Sequence, residues 1–149
     1  MAEKNSDNVR GFLAVSAGAL QRSDGLWLMH QRPLHKDHGG LWEFPGGKVE
    51  DNEKPAESLV RELREELGIM LRAADLEPAA FAEESEVAGG VPIVILLYIV
   101  RVWKGEPRAL EGGRIDWFDP EGIARLAKPP LDSELAGRLF VDRAAATLP

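Results

Sequence analysis

The chain has 149 residues, a formal net charge of -7 and a pI near 5.0, with 44% apolar and 29% charged residues and no cysteine. The absence of cysteine excludes disulfides, thiolate metal sites and cysteine nucleophiles, and fits a reducing, cytoplasmic setting. The acidic balance argues against a nucleic-acid polymer as partner, since that needs a basic surface. No apolar run approaches the roughly 20 residues of a membrane-spanning helix, so the expectation is a single domain over 1–149 with no membrane partner and a flexible tail at 1–8.

In chain order, Phe12 to Leu20 is apolar with small residues and reads as a strand. Arg22-Ser23-Asp24-Gly25 is a turn signature, and the alternation from Leu26 to Gln31 predicts the second strand of a hairpin. Pro33 to Gly40 reads as a polar loop, and Leu41 to Phe44 as a short strand stopped by Pro45-Gly46-Gly47. Pro55 to Leu67 is the clearest helix, with proline in its first turn and Gly68 just past its end. Ala56, Leu59, Val60, Leu63 and Leu67 form its buried stripe. Val91 to Trp103 is β-branched and reads as a long strand, Ile115 to Phe118 as a short one. Helices are expected at Pro120 to Leu126 and Leu131 to Leu148, the second broken near Val141. Strands and helices mix without strict alternation, which predicts an α/β or α+β fold around a mixed sheet.

The chemistry concentrates on the helix. At about 100° per residue, Glu62, Glu65 and Glu66 share one face. Carboxylates so placed repel one another and raise one another's pKa. A wet surface tolerates that, and a hard divalent cation relieves it. Mg²⁺ takes about six oxygens and keeps several waters, which leaves room for substrate phosphates. Gly46-Gly47, after a strand, lets the backbone pass close to a ligand. Taken alone, Arg61 to Glu66 also reads as a solvated glutamate face.

The whole segment narrows this. Gly47, Glu53, Arg61, Glu62, Leu63, Glu65, Glu66, Gly68 and Ile69 fill every specified position of the pattern G-x5-E-x7-R-E-U-x-E-E-x-G-U, with U a bulky aliphatic. The chain thereby resembles the Nudix hydrolases. Leu41-Trp-Glu-Phe-Pro-Gly-Gly-Lys-Val-Glu50 further resembles the MutT branch and the CTP pyrophosphohydrolases. The resemblance implies a Nudix-type α/β/α sandwich. It implies Mg²⁺-dependent hydrolysis, with Mn²⁺ able to substitute, of a nucleoside polyphosphate to a monophosphate plus pyrophosphate. Candidate substrates are 8-oxo-dGTP, CTP or another pyrimidine triphosphate, or another nucleoside diphosphate derivative. A nucleotide-sensing module without activity is the non-enzymatic alternative. Monomer and homodimer both stay open.

The resemblance also implies roles. Glu62, Glu65 and Glu66, with the Gly46 carbonyl, would coordinate the metal, and Glu62 could act as or orient the general base. Arg61 would pair with Glu53 or Glu65 and hold them, as a planar guanidinium can. Glu111, in Glu111-Gly112-Gly113, matches a loop that carries another metal-binding or base glutamate, and a plain turn residue is its alternative. Glu83, Glu84 and Glu86 are further outside carboxylates. Arg32 would meet phosphate, or face water at a strand end. Phe44 and Lys48 are candidate substrate contacts, with core and surface roles as their alternatives, and Trp42 is read as core. Asp132, in Lys128-Pro129-Pro130-Leu131-Asp132, stands where bacterial MutT carries a base-contacting asparagine. An ionised aspartate only accepts hydrogen bonds, so the asparagine pattern does not transfer. Its alternative role is capping the helix that follows. His35 and His38 read as a solvated loop, and His30 as structural.

Overall fold

The computed structural model describes residues 11–85 and 90–142. The expected tail at 1–8, Glu86, and the last turns of the expected terminal helix lie outside the described residues. The chain runs β1 (Leu13–Leu20), β2 (Trp27–Gln31), β3 (Trp42–Glu43), β4 (Gly46–Lys48), α1 (Pro55–Leu67), a 3-10 turn (Ala73–Asp75), β5 (Glu77–Glu83), β6 (Ile93–Val100), β7 (Arg114–Phe118), α2 (Pro120–Arg125) and α3 (Pro130–Ala136), the last continuing into a π-helical turn at Gly137–Asp142.

Two sheets result. One is mixed, in the order β4-β1-β6-β5, with β1 and β6 parallel and the other pairs antiparallel. The other is antiparallel, in the order β3-β2-β7. Strand parity sorts the side chains to two faces. Leu20, Leu28 and Val100 pack under Leu59, Leu63 and Leu67 of α1. Ala17, Ala19, Met29, Leu97 and Ile99 face the opposite way, toward Ile123, Leu135 and Leu139 of the C-terminal helices. Helices thus cover both sides of the strands, and the fold is the α/β/α sandwich with a mixed sheet.

The predicted hairpin does not form. The turn is present, with Gly25 N–H bonded to the Arg22 carbonyl at 2.9 Å. β1 and β2 then share a single bridge, Gln21 to Trp27, and part into different sheets. Both edges of β1 are already taken by β4 and β6, so β2 has nowhere to pair. Two strands have no counterpart in the sequence reading. β4 is built from the glycines taken to stop a strand, and β5 has too little alternation to show. The expected strand over Val91 to Trp103 shortens to Ile93–Val100. The terminal helix leaves regular α geometry at Gly137, earlier than Val141.

α1 starts at Pro55, where Glu57 Oε1 accepts from the Lys54 N–H at 3.1 Å, and Gly68 in the left-handed region ends it. The predicted stripe is buried, with Ala56 and Val60 at its margin. Gly18 of β1 lets the helix sit close, since a Cβ there would stand 3.2 Å from Leu63 Cδ1.

Candidate active site

A cavity of about 220 Å³ lies where α1, β3, β4 and the loop before β7 meet, and Glu43, Glu62, Glu66, Glu111, Gly46 and Arg32 line it. Glu66 is the deepest of the carboxylates, at 9% exposure. Burial, then repulsion from Glu43, Glu62 and Glu111, pushes its pKa up to about 8, against the stabilising Gly46 N–H. Burial also raises Glu62, opposed by Arg61. Strand β4 carries glycine here for a steric reason. A Cβ on Gly47 would fall 2.0 Å from Glu62 Oε2, and one on Gly46 2.0 Å from the Ser16 carbonyl.

Arg61 holds the outer carboxylates. Its Nε donates to Glu53 Oε2 at 2.7 Å and its Nη2 to Glu53 Oε1 at 3.0 Å, a bidentate pair. Its Nη1 reaches Glu62 at 3.0 Å and Glu65 at 3.3 Å, and Nη2 also meets the Lys48 carbonyl at 3.0 Å. Glu53 additionally accepts from the Glu50 N–H at 2.9 Å. Arg61 first, then that N–H, holds the Glu53 carboxyl down to about 2. Glu65 is half exposed, pairs with Arg61 and stands outside the lining of this cavity. One guanidinium therefore joins α1 to β4 and to the segment before the helix.

The donor set suits a hard divalent cation. A buried carboxylate faces three others across a small cavity, with only one backbone N–H aimed at it, and a cation would relieve that repulsion. Among the described residues no three acidic or histidine side chains are already closed into a metal cage.

A second cavity of about 590 Å³ adjoins the first and shares Arg32, Glu43 and Gly46 with it. Its inner walls are largely apolar, with Ala17, Phe44, Ile93, Ile95, Pro129 and Leu131, and charged residues such as Arg32, Lys48 and Glu83 also line it. Asp132 also lines it, at 6% exposure. Asp132 Oδ1 accepts from the Phe44 N–H at 3.0 Å. Burial, only partly offset by that bond, pushes the carboxyl up to about 7. Asp132 lies inside the first turn of α3, whose N-cap is Pro129, so the helix-capping alternative is corrected. Pro130 supplies the helix start, and the aspartate is free to reach the strand segment across the cavity.

The remaining candidates sort between the two cavities. Arg32 pairs with Glu43 at 3.3 Å and donates from Nε to the Asp37 carbonyl at 2.6 Å. Phe44 is buried at the wall of the large cavity, and Lys48 is exposed at its rim. Glu83 and Glu84 line that cavity too, and Glu84 caps the Ile93 N–H at 2.8 Å. His35 is exposed, and His38 borders the large cavity. Trp42 is core, edge-on to Phe118.

Glu43 escaped the sequence reading, and His30 was read there only as structural. Glu43 sits between buried Trp42 and Phe44, so strand parity turns it to the α1 side. That alternation was the available signal. His30 stands opposite Glu43 in the β2–β3 register and lines the small cavity. Nothing local to β2 marks it.

A NUDIX domain family model matches residues 12–139. The chain is similar to a CTP pyrophosphohydrolase of Escherichia coli (strain K12), 38% identical over 133 residues, covering 89% of this chain and 95% of the relative. It is 34% identical over 129 residues to an 8-oxo-dGTP diphosphatase of Haemophilus influenzae, covering 86% and 91%. Among solved structures, the E. coli ORF135 protein superposes with a TM-score of 0.81 at 36% identity, covering 94% of this chain and 96% of that one. The MutT NUDIX hydrolase of Burkholderia pseudomallei superposes with a TM-score of 0.73 at 26% identity, covering 86% and 98%.

Proposed function

This chain belongs to the Nudix family, and from that premise we propose that it is a Mg²⁺-dependent hydrolase that cuts a nucleoside triphosphate to the monophosphate and pyrophosphate. The observation that carries this reading is the carboxylate cavity opening directly into an apolar pocket large enough for a base and sugar. The family uses divalent metal ions, and we assign Glu62, Glu65, Glu66 and Glu111, with the Gly46 carbonyl, as the oxygen donors. Bound there, the metal supplies charge neutralisation at phosphate and a more acidic attacking water.

The chain's own residues divide the remaining work. Glu62, tied to Arg61 yet turned to the cavity, is the assigned acceptor of the proton from the attacking water. Arg61 and Glu53 position it. Arg32, at the border of the two cavities, is assigned to the phosphates, and Lys48 to the pocket rim. Phe44 offers a wall for the base. The reading treats 1–149 as a single domain acting in the cytoplasm on free nucleotides, not on a nucleic-acid polymer, as a monomer or homodimer.

Two bases are in contention. The diphosphatase relatives favour 8-oxo-dGTP. The CTP pyrophosphohydrolase relative favours cytosine, and Asp132 can accept from the exocyclic amino group that either base carries. A kinetic panel decides between them, ranking 8-oxo-dGTP, dGTP, CTP and dCTP by kcat/KM with product analysis. Pyrophosphate release supports the reaction, and release of orthophosphate instead would overturn it. Preference for 8-oxo-dGTP over dGTP carries the first substrate, and preference for CTP or dCTP carries the second.

A further inference from the structure

His30 is the one side chain of the small cavity with a buried polar atom left unpaired, and its other nitrogen is engaged with the loop that bears Glu111. The residue is 7% exposed, and its Nδ1 has no hydrogen-bond partner. Its Nε2 lies 2.9 Å from the Gly112 carbonyl oxygen. A carbonyl only accepts, so Nε2 carries the proton in this contact. The neighbours on β2, Leu28 and Met29, are fully buried and apolar. Packing alone would be served by another such residue, without leaving a buried nitrogen unsatisfied. The imidazole contributes the bond to the loop.

That bond matters because of where it falls. On one side of Glu111, the Leu110 N–H donates to the Glu66 carbonyl at 3.0 Å, which ties the loop to the end of α1. On the other side, His30 ties residue 112 to β2. Gly113 then presses on the strand itself. A Cβ there would fall 2.1 Å from the Gln31 carbonyl and 3.0 Å from His30 Nε2, and its φ of +74° suits glycine. Glu111 is thus suspended between two anchors, one on α1, which carries Glu62 and Glu66, and one on β2, whose His30 stands opposite Glu43 of β3. Its side chain is exposed and makes no fixed bond of its own that would set its direction, so its position depends on the backbone around it.

We propose that His30 is a positioning residue, which holds Glu111 over the carboxylate cavity by donating from Nε2 to the Gly112 carbonyl. The proposal rests on the assignment of Glu111 as a metal-binding or base carboxylate. The test is a set of variants read by kcat, KM and Mn²⁺ affinity in the absence of substrate. His30→Asn places its amide too short of the carbonyl, whereas His30→Gln brings an amide nitrogen near the place of Nε2. His30→Thr, suited to a strand and equally without reach, is a second short variant should the asparagine fail to fold. The expectation is that the two short variants, whose donors cannot reach the carbonyl, lower kcat and weaken Mn²⁺ binding by about tenfold, with KM near its original value. His30→Gln recovers most of both, and adding His30→Asn to Glu111→Gln costs nothing further. Slow Glu111→Gln beside normal His30→Asn and His30→Thr would overturn the proposal while leaving the Glu111 assignment standing. Equal losses in His30→Gln and the two short variants, or an undiminished loss on the Glu111→Gln background, would reduce His30 to packing. Normal turnover and Mn²⁺ binding in Glu111→Gln would remove the Glu111 assignment, and the proposal with it.

Discussion

The two cavities share three residues and are built in opposite ways. The small one is dense in charge, and its central carboxylates, Glu62 and Glu66, stand four residues apart on one helix. The large one is largely apolar and gathers β1, β6, the Phe44 segment and the turn into α3, with the Phe44–Asp132 bond spanning 88 residues. In the first, charges are fixed by other charges, above all through Arg61. In the second, a single buried carboxylate is fixed by burial and one N–H. A polyphosphate presents the same chemistry whatever its base, so a rigid end for it can sit in one short segment. The base varies, and the end that reads it is assembled from parts that can change one at a time.

If that division holds, damage at the small cavity is felt by every substrate. The largest effect is expected from Glu66→Gln, which keeps size and removes the charge. Turnover should fall by at least about 100-fold on every nucleotide, more than is usual for a residue behind a metal ligand, with Mn²⁺ binding weakened in parallel. Turnover near that of the parent chain at saturating metal would end the assignment of this cavity.

Arg61→Lys comes next. Lysine keeps the charge but cannot span Glu53, Glu62, Glu65 and the Lys48 carbonyl at once. A loss of roughly 10- to 100-fold in kcat is expected, again equal across bases. If the loss depends on the base, Arg61 serves both cavities and the division is wrong.

At the large cavity, Asp132→Asn should behave differently. An amide both donates and accepts, so the ratio of kcat/KM between cytosine and guanine nucleotides should shift, by roughly tenfold for one altered base contact at 1–3 kcal/mol. The chemical step should stay close to normal for the better substrate. A uniform loss on all bases would show that Asp132 supports the fold or the metal end and reads nothing.

The same contrast explains what was legible beforehand. Glu62, Glu65 and Glu66 are visible because helical spacing converts sequence distance into spatial distance. Glu53 and Arg61 follow from the same short segment. The mixed α/β class was legible from the buried stripe of α1 and the strong strands, and the sandwich only from the resemblance carried by the glutamate segment. Glu43 was half visible, through its alternation with Trp42 and Phe44. Asp132 was found as a residue but its partner was not, because nothing short-range joins it to Phe44. The β1–β2 hairpin failed for a related reason: a turn signature reports where a chain reverses, not which edges other strands have already occupied. His30 reads as an ordinary strand residue until the loop from 110 to 113 is laid against it.

The smallest effect, in stability, separates the ends by their response to metal. Glu66 has its folded pKa raised to about 8 from an ordinary 4.5, and Asp132 to about 7 from 3.8. Both groups therefore bind a proton more tightly in the folded chain. Their contribution is fully present below the ordinary value and is lost as pH rises through the folded one. Glu53 runs the other way, with stability present above 4.5 and lost as pH falls through about 2, outside this window. The metal-free protein should accordingly melt at falling temperatures from about pH 5 to 8. Asp132→Asn should remove the part of that slope that ends near 7, and Glu66→Gln the part that extends to 8. Saturating Mg²⁺ should flatten only the Glu66 part, because a cation favours the ionised carboxylates around it and leaves Asp132 in its apolar pocket. Thermal melts across pH, with and without Mg²⁺, on the parent chain and both variants measure this directly. A slope that survives in the metal-bound parent chain and that Asp132→Asn then abolishes would establish the two ends as electrostatically separate. A Mg²⁺ effect on the Asp132 part would mean that the two cavities act as one.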